Sequence, residues 1–459
     1  MSAKAKRKQL DMLNGPIWNK IPLYALPVAA TAILEQLFNA SDIAVVGNFT
    51  GEGKTVAVAA VGANGPIISL IINLFIGIAL GSNVVIANAI GQNNKDKISK
   101  AVHTSIIISV LGGIFIAALG EIIAAPLLKS LSVPDDVFDS ALLYLRIYLI
   151  GMPVILLYNF ESAVFRSVGE TKTPLIALAA SGILNVVLNL FFVVVLHMTV
   201  NGVATATVIS NAFSSVFLLI KLIKSKYYIR IELKKLKIDK ATLKQIIKIG
   251  LPAGIQGAVF AIANIVIQSA INSLGTVVMA ASSAAINIEV FTYDILSAFG
   301  QACTTFTGQN YGAKKYDRCK KTLYVCLIEG AVSLIVAIGL IFLSGKYLLA
   351  IFNNNPTVIE LGYTRLLIVM SAHIFSMLYE IMSGYLRGFG ISLTPAILTT
   401  FGVCVVRIGW VKFVFSQSPT FVTILTAYPV SLSLTAALML AALLCFRPTK
   451  KLYKIEMKD

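Results

Sequence analysis

Arg166-Ser167-Val168-Gly169-Glu170-Thr171-Lys172-Thr173-Pro174 is answered 221 residues later by Arg387-Gly388-Phe389-Gly390-Ile391-Ser392-Leu393-Thr394-Pro395, on the shared frame Arg-x-x-Gly-x-x-x-Thr-Pro. Two more landmarks recur in the same order. Leu26-Pro27 matches Leu251-Pro252 at an offset of 225, and Gly91-Gln92-Asn93 matches Gly308-Gln309-Asn310 at 217. Three ordered matches at nearly constant spacing mark an internal repeat, and the rest of the chain is read within it.

What repeats is apolar. The 459 residues are 57% hydrophobic and 13% charged, with a mean hydropathy of +0.84. Soluble domains carry about 25% charged residues, so this chain cannot cover a water-facing surface and a soluble protein is excluded. The net charge of +17 comes from 38 Lys and Arg against 21 Asp and Glu. In a soluble chain that excess would suggest a nucleic-acid partner. Here the basic residues lie between long apolar runs and speak of membrane topology instead. The five cysteines (Cys303, Cys319, Cys326, Cys404 and Cys445) have neither disulfide-framework nor CxxC spacing and are read as packing residues. The basic N-terminus precedes apolar sequence, but no small-residue cleavage site ends a short apolar core, so the first apolar run is read as a retained span.

A hydrocarbon core of about 30 Å needs about 20 helical residues. Twelve runs qualify. The first six are Ile21–Gly47, Ala59–Ile86, Val102–Leu127, Phe138–Ser162, Thr173–Leu196 and Val203–Ile223. The second six are Ile249–Asn272, Val278–Phe306, Thr322–Leu343, Val358–Leu386, Pro395–Phe415 and Phe421–Leu444. The predicted fold is therefore an all-α membrane protein of twelve transmembrane helices in two six-helix repeats, an N-lobe (21–223) and a C-lobe (249–446). Residues 1–20 form an N-terminal segment, 224–248 a basic linker and 447–459 a tail. An even number of spans starts and ends each repeat on one side, so the repeats are parallel, with a central cleft between two bundles. Such a cleft is transporter architecture.

Basic residues set the orientation. With the N-terminus in the cytoplasm, Lys95, Lys97, Lys100, Arg166, Lys172, the linker, Lys314, Lys315, Arg318, Lys320, Lys321 and the tail all fall inside, against Lys54, Lys129 and Lys346 outside. This asymmetry predicts cytoplasmic termini in a multi-pass plasma-membrane protein. The linker holds ten Lys and Arg between Lys221 and Lys248 against Glu232 and Asp239. It is read as a solvated topology anchor, the alternative being a surface for anionic lipid.

Ionisable groups within spans cost about 2.5–3.5 kcal/mol at mid-membrane and point to function. Glu35, Asn39 and Asp42 share one face of span 1, Asn185 and Asn189 one face of span 5, and Thr205 and Thr207 open span 6. The alternating directions of the spans put Asp42, Asn189 and Thr207 at one depth in the outer part of the first bundle. There, carboxylate, amide and hydroxyl oxygens can surround a small hard cation or hold a proton. The competing reading is interhelical hydrogen bonding that ties the bundle together. In the second half Asn264, Gln268 and Asn272 form a stripe on span 7, and Asn287, Asp294 and Gln301 recur every seven residues on span 8 beside Glu289. Both stripes suit a substrate-facing surface or helix–helix glue. Arg407 in span 11 either lines a cavity or pairs with Glu289 or Asp294. Glu161, near the cytoplasmic end of span 4, is expected to pair with Arg166 or reach toward water.

No enzyme is indicated. His103, His197 and His373 are far apart, there is no HExxH or Cys/His pattern, and no GxxxxGK[ST] implies ATP. No cofactor is expected, and an ion gradient remains as the energy source.

Together, Asn39-x-x-Asp42-x-x-x-x-Gly47, Gly308-Gln309-Asn310-Tyr311-Gly312-Ala313 and the Arg166–Pro174 stretch resemble the MATE (multidrug and toxic compound extrusion) family of secondary transporters over nearly the whole chain. The resemblance implies two six-helix lobes that export organic cations and other amphipathic compounds against inward Na⁺ or H⁺. It also implies that Asp42 is the coupling carboxylate, with Asn185 and Thr207 as partners in a site that Asn189 would complete. Glu35, Asn39, Asn264, Gln268, Glu289, Asp294 and Arg407 are then the cavity candidates. The expected partners are membrane lipid and small cationic or amphipathic molecules, with no nucleic acid, for a chain able to act as a monomer.

Two features depart from the family pattern. The family's Asn-x-x-x-Asp in span 5 is Asn185-x-x-x-Asn189 here, one carboxylate fewer, and the NorM-like acidic residue of span 10 is replaced within Phe375-Ser376-Met377-Leu378. A DinF-like first-lobe mechanism is thereby favoured. The alternative within the superfamily is a lipid-linked oligosaccharide flippase, which calls for a more cationic cavity; a membrane-embedded enzyme comes third.

The orientation is directly testable. In a variant without native cysteines, Lys234→Cys should react with a membrane-impermeant maleimide only from the cytoplasmic side and Lys129→Cys only from the outside; the reverse pattern refutes it.

Overall fold

A computed structural model of the chain describes residues 10–50, 54–131 and 133–450. The basic residues of the first nine positions and those from 451 onward lie outside the described residues. The fold is all-α. The helices are α1 (Lys20–Phe49), α2 (Lys54–Gly91), α3 (Lys95–Ser130), α4 (Asp135–Ile150), α5 (Met152–Ser167), α6 (Lys172–Leu190) and α7 (Val200–Ile223). They continue as α8 (Lys240–Asn272), α9 (Thr276–Gly312), α10 (Tyr316–Phe352), α11 (Pro356–Gly388), α12 (Leu393–Phe415) and α13 (Phe421–Phe446).

Among the described residues eleven helices are long and apolar enough to cross a bilayer, and α4 with α5 makes a twelfth crossing bent by 50°. The single helix expected over Phe138–Ser162 is thus a broken one. Its break falls at Gly151-Met152-Pro153, where proline has no N–H to donate and its ring crowds the carbonyl of the preceding turn. Two other spans change winding. α6 runs on into a π-helical turn at Phe191–Val195, and α12 contains π segments at Thr400–Val405 and Val411–Phe415.

The repeated Arg-x-x-Gly frame is a helix stop. Gly169 and Gly390 take φ of 79° and 80°, left-handed backbone that glycine adopts without a Cβ clash. In the first copy Gly169 N donates to Arg166 O (3.0 Å) and Glu170 N to Phe165 O (3.0 Å). In the second, Gly390 N donates to Arg387 O (2.8 Å) and Ile391 N to Leu386 O (3.0 Å). Both are Schellman caps, which satisfy the last carbonyls of α5 and α11 before Thr-Pro opens the next helix.

The chain divides into two compact units. The first comprises Ala30–Ala89 and Asn94–Ile247; the second gathers Asp11–Ala29, Ile90–Asn93 and the chain from Lys248. In the second unit the Gly-Gln-Asn motif anchors the segment before α1. Asn310 Nδ2 donates to Met12 O (3.2 Å), and Arg318 donates to Met12 O (3.0 Å), Gly15 O (2.8 Å) and Asn310 Oδ1 (3.1 Å). In the first unit the linker is more than a solvated anchor. Ile229 and Ile231 are buried, Glu232 N donates to His103 Nε2 (3.0 Å) and Asp239 N to Thr104 Oγ1 (3.1 Å), so its backbone docks on α3 while its lysines stay outside.

Small residues let helices approach closely, which is how spans associate when lipid offers no hydrophobic driving force. A Cβ on Gly384 of α11 would lie 2.4 Å from the backbone oxygen of Gly300 on α9. Backbone cannot step aside as a side chain can. Gly384→Val should therefore lower stability by about 1–3 kcal/mol, seen as a fall in thermal midpoint in detergent. An unchanged midpoint contradicts this packing.

Candidate functional site

In the first unit α1, α6 and α7 bring Asp42, Asn189 and Thr207 together, as their depths suggest. Asn189 Nδ2 donates to Asp42 Oδ1 at 2.6 Å, and Thr207 Oγ1 donates to Asp42 Oδ2 at 2.9 Å. Asn185 closes the group: its Oδ1 accepts from Asn189 Nδ2 (3.1 Å), and its Nδ2 donates to Thr207 Oγ1 (3.4 Å). Asp42, Asn185 and Asn189 are 5%, 4% and 0% exposed, so the carboxylate is largely shielded from solvent and these two donors supply its protein hydrogen bonds.

Local sequence makes the approach possible. Gly182 of α6 leaves room for the Phe38 ring of α1, since a Cβ there would fall 1.6 Å from Phe38 Cζ. The π turn begins two residues beyond Asn189. Such bulges frequently accompany functional sites.

This group forms one end of a cavity of about 130 Å³ within the first unit. Its polar lining includes Glu35, Asn39, Asp42, Asn185 and Thr207, and its apolar lining includes Phe38, Tyr148, Tyr158, Ile72 and Ile76. Asn189 is not among the lining residues and sits behind the carboxylate. The cavity can hold a hydrated cation, and its aromatic walls suit an organic cation. Sodium would find oxygens on Asp42, Asn185 and Thr207, with Asn189 Oδ1, which has no hydrogen-bond partner, as a fourth. Among the described residues no cluster of three His, Cys, Asp or Glu side chains forms a transition-metal site.

The second unit is arranged differently from the sequence expectation. Glu289 is bound by Arg365, which was not among the candidates read from sequence. Nε donates to Oε1 at 2.8 Å and Nη2 to Oε2 at 2.9 Å, with both side chains buried. Arg365 also donates to Ser282 Oγ (3.2 Å) and Tyr428 Oη (3.3 Å). Its sole signal in sequence was an arginine inside span 10, with a partner 76 residues away.

Arg407 forms an ion pair with neither Glu289 nor Asp294. It donates to Ser431 Oγ (3.1 Å) and Asn264 Oδ1 (3.2 Å) and lies over the Tyr428 ring at 4.3 Å. Gln268 and Asn272 bond each other (2.8 Å), and Asn287 turns to its own helix at Ser283 O (3.0 Å). Asp294 and Gln301 lie on α9 with Glu289. Glu161 neither reaches Arg166 nor water: it is fully buried, and neither carboxylate oxygen has a hydrogen-bond partner among the described residues.

The Arg365–Glu289 pair makes a direct prediction. Arg365→Leu strands a buried carboxylate and should cost about 3–5 kcal/mol, whereas Arg365→Leu with Glu289→Leu should recover most of it. Thermal unfolding in detergent measures both; equal losses in single and double variants would remove the pair's structural role.

Comparison with known proteins agrees with this architecture. The MatE family model matches residues 27–191 and 252–410, once per repeat. A probable multidrug resistance protein of Bacillus subtilis, YoeA, is 26% identical over 408 residues, 87% of each chain. A probable multidrug resistance protein of Thermotoga maritima, NorM, is 25% identical over 392 residues, 84% of this chain and 82% of its own. The crystal structure of a MATE protein in the bent conformation superposes with a TM-score of 0.88 at 21% identity, over 98% of this chain and 99% of that one. The outward-facing conformation of a multidrug resistance MATE transporter gives 0.89 at 22%, over 97% and 99%. At these identities the structures establish a shared fold. The family match, spanning well over half of the residues and both repeats, goes further: the chain belongs to the MATE family of membrane transporters.

Proposed function

We propose that the chain is an antiporter of the plasma membrane that exports organic cations and amphipathic drugs by alternating access, driven by Na⁺ or H⁺ at the Asp42 site. The observation that carries this reading is a carboxylate removed from water, held by one amide and one hydroxyl, at the end of a cavity with aromatic walls. A proton on one oxygen of Asp42 turns that acceptor into a donor and breaks the hydrogen bond it accepts, while the other oxygen still accepts. A sodium ion instead displaces the Asn189 N–H and the Thr207 O–H and recruits their oxygens. Either way the contacts among α1, α6 and α7 differ between the occupied and empty forms. An ion shifts the conformational balance only as far as its affinity differs between the states. With one carboxylate, the site matches one monovalent charge. The names of the similar Bacillus and Thermotoga proteins support multidrug substrates, and the basic loops support cytoplasmic termini.

Reconstitution into liposomes with imposed Na⁺ or H⁺ gradients, following a fluorescent organic cation, tests the proposal. The parent should accumulate the dye against its gradient under one of the two ions, and Asp42→Asn should lose that accumulation. Asp42→Asn transporting as well as the parent under both gradients overturns the coupling assignment.

A further inference from the structure

The second unit repeats the ground plan of the first, and the repeat carries a site with it. The offset of 225 that relates Pro27 to Pro252 takes Asn39 to Asn264 and Asp42 to Ile267. The offset of 221 that relates Thr173-Pro174 to Thr394-Pro395 takes Thr207 to Tyr428, Ser210 to Ser431, and Asn185 to the residue before Arg407. Where the first unit gathers a carboxylate, amides and a hydroxyl, the second therefore gathers Asn264, Arg407, Tyr428 and Ser431, with Ile267 in place of the acid. These four side chains are assembled. Arg407 Nε and Nη1 bond Ser431 and Asn264, and its guanidinium lies 4.3 Å from the Tyr428 ring and 5.4 Å from the Phe260 ring.

The ground plan is shared, but the charge is opposite, Arg407 against Asp42. Both oxygens of Glu289 are committed to Arg365, so that carboxylate does not neutralise Arg407. Among the described residues no carboxylate lies within ion-pair distance of Arg407, and its Nη2 donates to nothing, although the side chain is only 2% exposed. A buried cation without a counter-charge is costly in a membrane protein and calls for an anion. Asn264, beside Arg407, is exposed, so this edge of the group opens onto the surface of the unit. The π segments at Thr400–Val405 and Val411–Phe415 flank the short α-helical stretch that carries Arg407, as π-bulges frequently flank functional residues.

We propose that Arg407 anchors an anion site in the second unit, taking the carboxylate, sulfonate or phosphate of an amphipathic molecule whose apolar body packs on Phe260 and Tyr428. The free Nη2 hydrogens provide charge-assisted donors suited to such an oxyanion. This site does not depend on the reading of Asp42, and its test uses binding rather than transport.

Trp410 lies three residues from Arg407, and the only other tryptophan is Trp18. In the Trp18→Phe protein, in phosphatidylcholine nanodiscs, energy transfer from Trp410 reports binding of 1-anilinonaphthalene-8-sulfonate. N-phenyl-1-naphthylamine is the same body without the sulfonate. The anionic probe should bind about tenfold or more tightly than its neutral analogue, and decanoate should displace it where decanol does not. Arg407→Gln should weaken the anionic probe about tenfold or more and leave the neutral one unchanged, with Arg407→Lys in between. If phosphatidylglycerol in the discs abolishes the signal of the parent, the anion is a lipid headgroup; if it does not, the site takes free amphipathic anions. Equal binding of the two probes, or equal displacement by decanol and decanoate, overturns the proposal, and both are measured on protein with Arg407 intact. So does a folded Arg407→Gln protein with undiminished affinity for the sulfonate.

Discussion

A carboxylate buried within a membrane bundle has little water to solvate it, so it draws donors from neighbouring helices. That requirement organises the first unit. Asp42 on α1 takes one hydrogen bond from Asn189 on α6 and one from Thr207 on α7, and Asn185 links the two donors. Three helices are thus fastened at one point whose bonding changes with a single positive charge. Lipid supplies no hydrophobic force to hold spans together, so such polar contacts and the close passages at Gly182 and Gly384 bear directly on where the helices sit.

The second unit meets the same constraint with opposite charge. The buried Arg365–Glu289 pair with Ser282 and Tyr428 satisfies both carboxylate oxygens. Arg407 is stacked and partly hydrogen-bonded, but not neutralised. Two copies of one helical plan can therefore diverge in chemistry through a few positions, Asp42 against Ile267 foremost, while caps such as Gly169 and Gly390 stay the same. The caps are held by backbone geometry that any ligand chemistry needs. The polar positions are free to differ because each needs only to be satisfied within its own bundle.

Much of the fold was legible because membrane insertion writes itself into composition: span length follows from bilayer thickness, and the repeat follows from recurring landmarks, the Arg-x-x-Gly helix stops among them. The meeting of Asp42, Asn189 and Thr207 was legible too, since alternating span directions convert sequence position into depth. Helical periodicity, by contrast, says which face a residue occupies and not what that face meets. Arg365 was passed over for that reason, Glu161 was expected near Arg166 or water and is instead enclosed, and Arg407 had open alternatives that only packing could close.

By itself the sequence determined the number of apolar runs long enough to cross, the repeat and the charge available to each span, because hydropathy and helix rise are local properties summed along the chain. Tertiary structure alone decided the partners. Glu289 belongs to Arg365 and not to Arg407, span 4 bends at Gly151, and the linker docks on α3 through His103 and Thr104. Those outcomes depend on rotation about helix axes and on sub-ångström fits between helices. Neither is carried by spacing along one chain.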